Sequence, residues 1–278
     1  MSQIVYVTDL DGTLLRSDQT LSTHTIETLN QFLADEGIFT FATARGFISA
    51  MSVVEQIAWK YPMILYNGAL LYDPIQHRVV DGYWLDSEIA NAVIGIGKKY
   101  DFSPFLFMLD TNDRETVWHE PLTRAGMLAF FQGRKNDPRF RENQQLTCPL
   151  DHRMLAVTYI GLYDELKRIQ DDTDRLLGGQ VHTHLLKDYY IEDHYFLEFS
   201  HPKANKKEGL KLWAQHMQVQ LKDVVVFGDH LNDIGLFEAG GMKVAVQNAQ
   251  ETILKLADHI IESNEQDGVA NYLLKSRA

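Results

Sequence analysis

The chain has 278 residues, with 38 acidic against 26 basic side chains and a formal net charge of −12. Apolar residues make up 45% and charged residues 23%, the balance of a folded chain of one large or two smaller domains, which excludes extended disorder. The acidic excess argues against nucleic acid or an anionic membrane as a partner, but a basic or metal-bridged pocket can still take a small phosphorylated molecule.

The first residues, Met1 to Gly12, carry no basic n-region and no long apolar stretch. No signal peptide is expected there, and no uncharged apolar run of about 18 residues follows that would predict a membrane span. The single cysteine, Cys148, permits neither an internal disulfide nor a thiolate zinc site, so a reducing, cytoplasmic setting is expected. Ile4 to Thr8 reads as a buried parallel strand. A helix is expected from Ser22 to Gly37, where Ile26, Leu29 and Leu33 share a face. Ile38–Ala42 follows as a strand and Phe47–Ile57 as a helix, and Met63–Tyr66 runs into the turn dipeptide Asn67-Gly68.

From Tyr83 the rhythm changes. Strands are expected at Phe102–Leu109, Met154–Ile160 and Val181–Leu186, and helices at Asp86–Tyr100, Pro121–Gly133 and Tyr163–Leu177. Polar, irregular stretches (Thr111 to Glu115, Lys135 to Gln145) separate them, as in a small sheet domain of its own. After Phe199 the alternation resumes: helix Lys206–His216, strand Val224–Phe227, helix Asp233–Ala239, strand Val244–Val246 and helix Glu251–Ala257. The fold class is α/β, with a Rossmann-like parallel-sheet core.

Three polar clusters follow three of the apolar strands. In Asp9-Leu10-Asp11-Gly12-Thr13-Leu14 the two carboxylates stand two apart at a strand end and can face one site. Their mutual repulsion would be relieved by a hard cation such as Mg²⁺; a solvated acidic turn is the plainer alternative for the bare pair. Gly228-Asp229-His230-Leu231-Asn232-Asp233 repeats the theme after Val224–Phe227, with a helix N-cap as the alternative. Thr43-Ala44-Arg45 closes the Ile38 strand, where a hydroxyl and helix-start amides suit a phosphate oxygen. Lys206 and Lys207 open a helix and, taken alone, read as solvated. A parallel sheet would gather these clusters at its carboxyl edge, the place where open α/β sheets bind ligands. Carboxylates, a lysine and a threonine, with no Cys or His nucleophile, describe metal-assisted phosphoryl transfer.

These segments resemble the four motifs of the haloacid dehalogenase-like superfamily of phosphatases: Asp9–Leu14 the first, Thr43-Ala44-Arg45 the second, Lys206 the third and Gly228–Asp233 the fourth. The long insert, the Asn67-Gly68-Ala69 turn, Ala245-Val246-Gln247-Asn248-Ala249 and Glu265-Gln266-Asp267-Gly268-Val269 are similar to the Cof-type subfamily. The resemblance implies a catalytic core of residues 1–82 and 197–278, and an inserted α/β cap (C2 type) of residues 83–196 that sets substrate choice. It implies Asp9 as nucleophile, forming an aspartyl-phosphate, and Asp11 as general acid and then base. Mg²⁺ would be held by Asp9, the Asp11 carbonyl and Asp229, with Asp233 supplementing that shell. Leu10, Thr43, Ala44, Lys206 and Asn232 would hold the phosphoryl group, with Lys206 also offsetting carboxylate repulsion. The substrate would be a small phosphorylated metabolite, such as a sugar phosphate. A hexose phosphate mutase or a non-catalytic binding module on the same fold are the alternatives, and monomer or homodimer is left open.

Other residues read as structural. His182 and His184 would share a strand face, yet no carboxylate or third histidine lies at useful spacing along the sequence. Trp118, His119, Arg114 and Arg124 are expected to pack the cap or lie on its surface, with substrate contact as the alternative; Cys148 is expected to be an inert thiol and Asp171-Asp172-Thr173-Asp174 a solvated helix face.

Overall fold

A computed structural model describes residues 4–134, 136–187 and 191–277; Met1 to Gln3 and Lys135, both part of segments interpreted above, lie outside the described residues. The chain divides into two compact units, Met1–Gly82 with Lys203–Ala278, and Tyr83–Pro202. In chain order the first unit begins with β1 (Val5–Thr8), α1 (Thr23–Ala34), β2 (Ile38–Phe41), α2 (Phe47–Val54), β3 (Met63–Leu65), β4 (Leu70–Asp73) and β5 (Arg78–Gly82). The second unit holds α3 (Ser87–Lys98), β6 (Phe105–Leu109), β7 (Glu115–His119), α4 (Ala125–Gln132), β8 (Phe140–Glu142), β9 (Arg153–Leu162), α5 (Tyr163–Leu177), β10 (His182–Lys187) and β11 (His194–Ser200). The chain then returns with α6 (Lys206–Met217), β12 (Val224–Gly228), α7 (Ile234–Ala239), β13 (Met242–Val246), α8 (Glu251–Leu256), β14 (His259–Ile261) and α9 (Gly268–Arg277).

The first unit is built on a five-stranded sheet in the order β14-β13-β12-β1-β2, every pair parallel. β1 and β12 are the central pair, with Thr8 in register with Phe227, and both strands are buried along their whole length. Strands covered on both faces need continuous apolar runs, which Val5-Tyr6-Val7 and Val224-Val225-Val226-Phe227 supply. Winding runs outward from β1 to β2 and then from β12 through β13 to β14. The switch point therefore falls between β1 and β12, whose carboxyl ends lie side by side. A small antiparallel sheet, β3-β4-β5, completes the unit. Its β3–β4 connection is the Tyr66–Gly68 turn, where Asn67 at φ +51° and Gly68 at φ +98° take left-handed backbone.

The second unit is a six-stranded sheet, β10-β11-β9-β6-β7-β8, antiparallel except for β7 with β8. Tyr159, Leu197 and Phe199 point to the face covered by α3 and α5, and the Tyr159 hydroxyl donates to the Val93 carbonyl at 2.9 Å. α4 sends Phe130 to the other face, against Phe105 and Phe196. His119 is buried among Phe105, Phe131 and Phe140, and Arg124 pairs with Glu165 over the Phe102 ring. Cys148 is buried, and burial pushes its thiol up to about 11, away from reactivity.

Three expectations shift. The second junction falls at 202/203 rather than 196/197, because β11 runs to Ser200 as a full member of the second unit's sheet. The stretches expected to be irregular contain the start of β7 and all of β8. The acidic run of α5 is only partly a solvated face: Thr173 is fully buried and Asp172 accepts from Tyr100 and Arg175. Among the described residues no helix is long and apolar enough to cross a membrane.

Candidate active site

The site is assembled where β1, β12 and the first turn of α6 end together. Asp9 follows β1 directly, and its amide donates to the Phe227 carbonyl of β12 at 3.0 Å. Asp229 follows β12 in the same way. α6 begins at Lys206 because Asn205 caps it, accepting from the Glu208 amide at 3.0 Å. Asp9, Asp229 and Asp233 each offer a carboxylate oxygen, and these atoms lie within 4.8 Å of one another. Asp9 is 4% exposed, Asp233 0% and Lys206 1%.

Lys206 ties the cluster together. Its Nζ donates to Asp9 Oδ1 at 2.5 Å and to Asp233 Oδ1 at 2.6 Å. Lys207, one residue on, is half-exposed and pairs with Glu238 away from the cluster. The second oxygen of Asp233 accepts from the amides of Asp229 and His230 at 3.0 and 3.1 Å. Both oxygens of Asp233 are thus engaged within the protein, which makes it the brace of the cluster. Asp229 Oδ1 accepts from the Thr13 hydroxyl at 2.9 Å, and its carbonyl accepts from the Gln250 amide. Gly12 makes that approach feasible: at φ +80°, a Cβ there would sit 2.5 Å from Asp229 Oδ2.

Burial and mutual repulsion govern the charges. Desolvation raises Asp9 well above the usual carboxylate range, and the Lys206 ammonium works against that rise. Asp229 is pushed up to about 7 by burial and by the neighbouring Asp233. Burial opposes the charge on Lys206, but Asp233 and Asp9 outweigh it and hold the ammonium above its ordinary value. Two buried carboxylates and a half-buried one, once ionised against one ammonium, carry an excess of negative charge. A hard, oxygen-seeking divalent cation fits that donor set; a soft metal does not.

The remaining expected residues take varied places. The Asp11 side chain is half-exposed and grips Arg45, accepting from Nε at 2.8 Å and Nη2 at 2.6 Å. Arg45 also donates to Gln19. Thr43 is fully buried at the end of β2, its hydroxyl accepting from the Arg45 amide at 3.1 Å. Leu10 is buried, so only its backbone could meet a ligand, while Ala44 is exposed. Asn232 is half-buried and hydrogen-bonds the His230 side chain. Asn248 of the tail motif donates to the Gly12 carbonyl at 2.8 Å while accepting from the Asn264 amide. It therefore fixes the loop carrying Asp9 and Asp11. The Thr13–Asp229 and Asn248–Gly12 contacts join segments more than 200 residues apart, and nothing local in the sequence announced them.

A five-stranded parallel sheet that gathers carboxylates at its switch point makes an α/β core with a ligand site at its carboxyl edge. A model of the haloacid dehalogenase-like hydrolase family matches residues 6–273, and the chain belongs to that family. It is a phosphatase of the Cof-type branch, and its similarity to proteins named as phosphatases runs nearly end to end. It is 28% identical to phosphatase YwpJ of Bacillus subtilis (strain 168), over 95% of this chain and 96% of that protein. It is 26% identical to an HMP-PP phosphatase of Serratia proteamaculans (strain 568), over 95% and 92% of the two chains. The crystal structure of a haloacid dehalogenase-like hydrolase from Bacteroides thetaiotaomicron shares the fold, with a TM-score of 0.80 at 21% identity over 99% of this chain and 100% of that one.

Proposed function

We propose that the protein is a Mg²⁺-dependent phosphatase that hydrolyses a small phosphomonoester through an aspartyl-phosphate on Asp9. The observation that carries this reading is Lys206, buried between Asp9 and Asp233 beside Asp229. The ammonium opposes the rise that burial imposes on Asp9, and it engages one Asp9 oxygen, leaving the other for attack. Asp9 and Asp229, with the Asp11 carbonyl, would hold Mg²⁺, and Asp233 would hold the amides and the ammonium around them. When bound, the cation supplies charge neutralisation at a phosphoryl oxygen.

In the first half-reaction an Asp9 carboxylate oxygen attacks phosphorus, the ester P–O bond breaks, and Asp11 gives its proton to the leaving oxygen. In the second, Asp11 takes a proton from water, whose oxygen attacks phosphorus. Phosphate leaves and the Asp9 carboxylate is restored. Thr43, Lys206, Asn232 and the amides of Leu10 and Ala44 would hold the equatorial oxygens. The Arg45 clamp fixes Asp11 in one orientation before either transfer. Residues of the second unit are assigned the choice of leaving group. The relatives' names support a small substrate, since they include a pyridoxal phosphate phosphatase of Escherichia coli (strain K12), 24% identical over 98% of each chain.

The test is phosphate release from a panel of phosphorylated metabolites. Wild-type protein with Mg²⁺ should turn over at least one, EDTA should abolish it, and Asp9→Asn should abolish it with the fold intact by circular dichroism. Full activity in Asp9→Asn would overturn the assignment.

A further inference from the structure

β10 is the outer strand of the second unit's sheet, and two of its histidines converge. His182 and His184 stand two residues apart, so both side chains leave the same face of the strand. Their Nε2 atoms are 2.9 Å apart, with ring centroids 4.6 Å apart and planes at 84°. Both are half-buried. Thr183 and Leu185, the alternating residues, pair with Phe199 and Leu197 on the face that α3 and α5 cover. The histidines therefore lie on the opposite face.

Strand register places a carboxylate and a hydroxyl on the same face. His184 stands directly opposite Glu198 of β11, and His182 opposite Ser200. Residues so opposed on an antiparallel ladder have Cβ atoms about 4.5–5.5 Å apart and share a face. Glu198 is in turn opposite Thr158 of β9, a buried threonine whose hydroxyl has no hydrogen-bond partner among the described residues. A histidine–carboxylate–hydroxyl row thus crosses three strands on one face.

We propose that His182 and His184 hold a divalent transition-metal ion of the Cu²⁺ or Ni²⁺ class, a second metal site that shares no residue with the carboxylate cluster. Imidazole pairs select such ions over Mg²⁺, which prefers oxygen alone. Metal–imidazole bonds of about 2.0–2.1 Å leave two nitrogens about 2.9 Å apart at a right angle and about 3.3 Å apart at the tetrahedral angle. The observed 2.9 Å matches the right-angle bite of square or tetragonal coordination. The Glu198 carboxylate does not come within ligand distance of both imidazoles, so water completes the shell. The site stands whether or not the phosphatase assignment does. The competing account is a plain imidazole–imidazole hydrogen bond, which predicts no metal.

The experiment uses the full chain with excess MgCl₂ filling the carboxylate cluster, titrated with CuCl₂. Equilibrium dialysis gives stoichiometry, and electron paramagnetic resonance reports the ligands. One Cu²⁺ per chain is expected, with nitrogen superhyperfine structure from two imidazoles. His182→Gln and His184→Gln should each weaken binding more than about tenfold, and Glu198→Gln should leave the nitrogen coupling in place. His24→Gln in the first unit should change neither. Circular dichroism and Mg²⁺-dependent phosphate release check that the variants fold. A wild-type spectrum with no nitrogen coupling overturns the proposal without any variant. So does stoichiometric Cu²⁺ binding that survives loss of both histidines.

Discussion

Lys206 is where the electrostatics of the first unit are decided. Its ammonium faces two carboxylates that burial has stripped of water. Removing one partner of such a set leaves uncompensated buried charge, which typically costs about 3–5 kcal/mol. Lys206→Met should therefore lower stability by roughly that amount in urea unfolding without metal, and a divalent cation should recover part of the loss. Turnover should vanish. Lys207→Ala removes only an exposed pair with Glu238 and should leave both stability and turnover unchanged. Asp9, Lys206, Asp229 and Asp233 were legible because each sits in a short contiguous segment directly after a recognisable strand or at a capped helix start. The Arg45 clamp on Asp11, the Thr13 bond to Asp229 and the pairing of Glu198 with His184 were not. Each is fixed by loop path or strand register between distant segments, and neither leaves a periodic trace.

Among elements, α6 and the Tyr66–Gly68 turn pack closer than side chains allow. A Cβ on Gly209 would lie 2.6 Å from the Gly68 Cα and 2.8 Å from Ile64 Cγ2. Gly209→Ala must push the first turn of α6 outward and carry Lys206 with it. Overpacking of this kind costs about 1–3 kcal/mol, so thermal unfolding should show the loss, and the rate of phosphate release should fall with it. Gly95 of α3 is exposed with open space where a Cβ would go. Gly95→Ala should instead stabilise by about 0.5–1 kcal/mol and leave turnover alone. The same contrast explains which elements could be read ahead of the structure. Buried strands such as β1, β9 and β12 announce themselves by apolar runs. β8 and β14 are short and mostly exposed, and β5 has no buried residue, so their sequences carry no alternation to detect.

For the molecule as a whole, the raised carboxylates couple stability to pH and metal. Asp9 and Asp229 favour the folded state when protonated. Their contribution is present below the usual carboxylate range, near pH 4, and is lost as pH rises through about 7, the value to which Asp229 is pushed. A bound divalent cation needs both groups ionised, so its stabilising effect grows over the same interval. In calorimetry the gain in Tm on adding MgCl₂ should be larger at about pH 8 than at about pH 6. A gain that is flat with pH, or that falls, would count against cation binding at these carboxylates. The unit that carries the site is discontinuous, and that has a consequence for how the chain is made. β1 is central, yet its neighbour β12 begins only at Val224, long after β2 ends at Phe41. At a translation rate of roughly 5–20 residues per second, the interval is on the order of ten to forty seconds. Throughout it, an apolar strand has one edge unpaired, the exposure that invites association with other chains. Tyr83–Pro202, a continuous segment, has its whole sheet available before Val224 is added. The sheet that bears Asp9 is begun first and closed last, so nascent-chain quality rests on how long β1 can wait for β12.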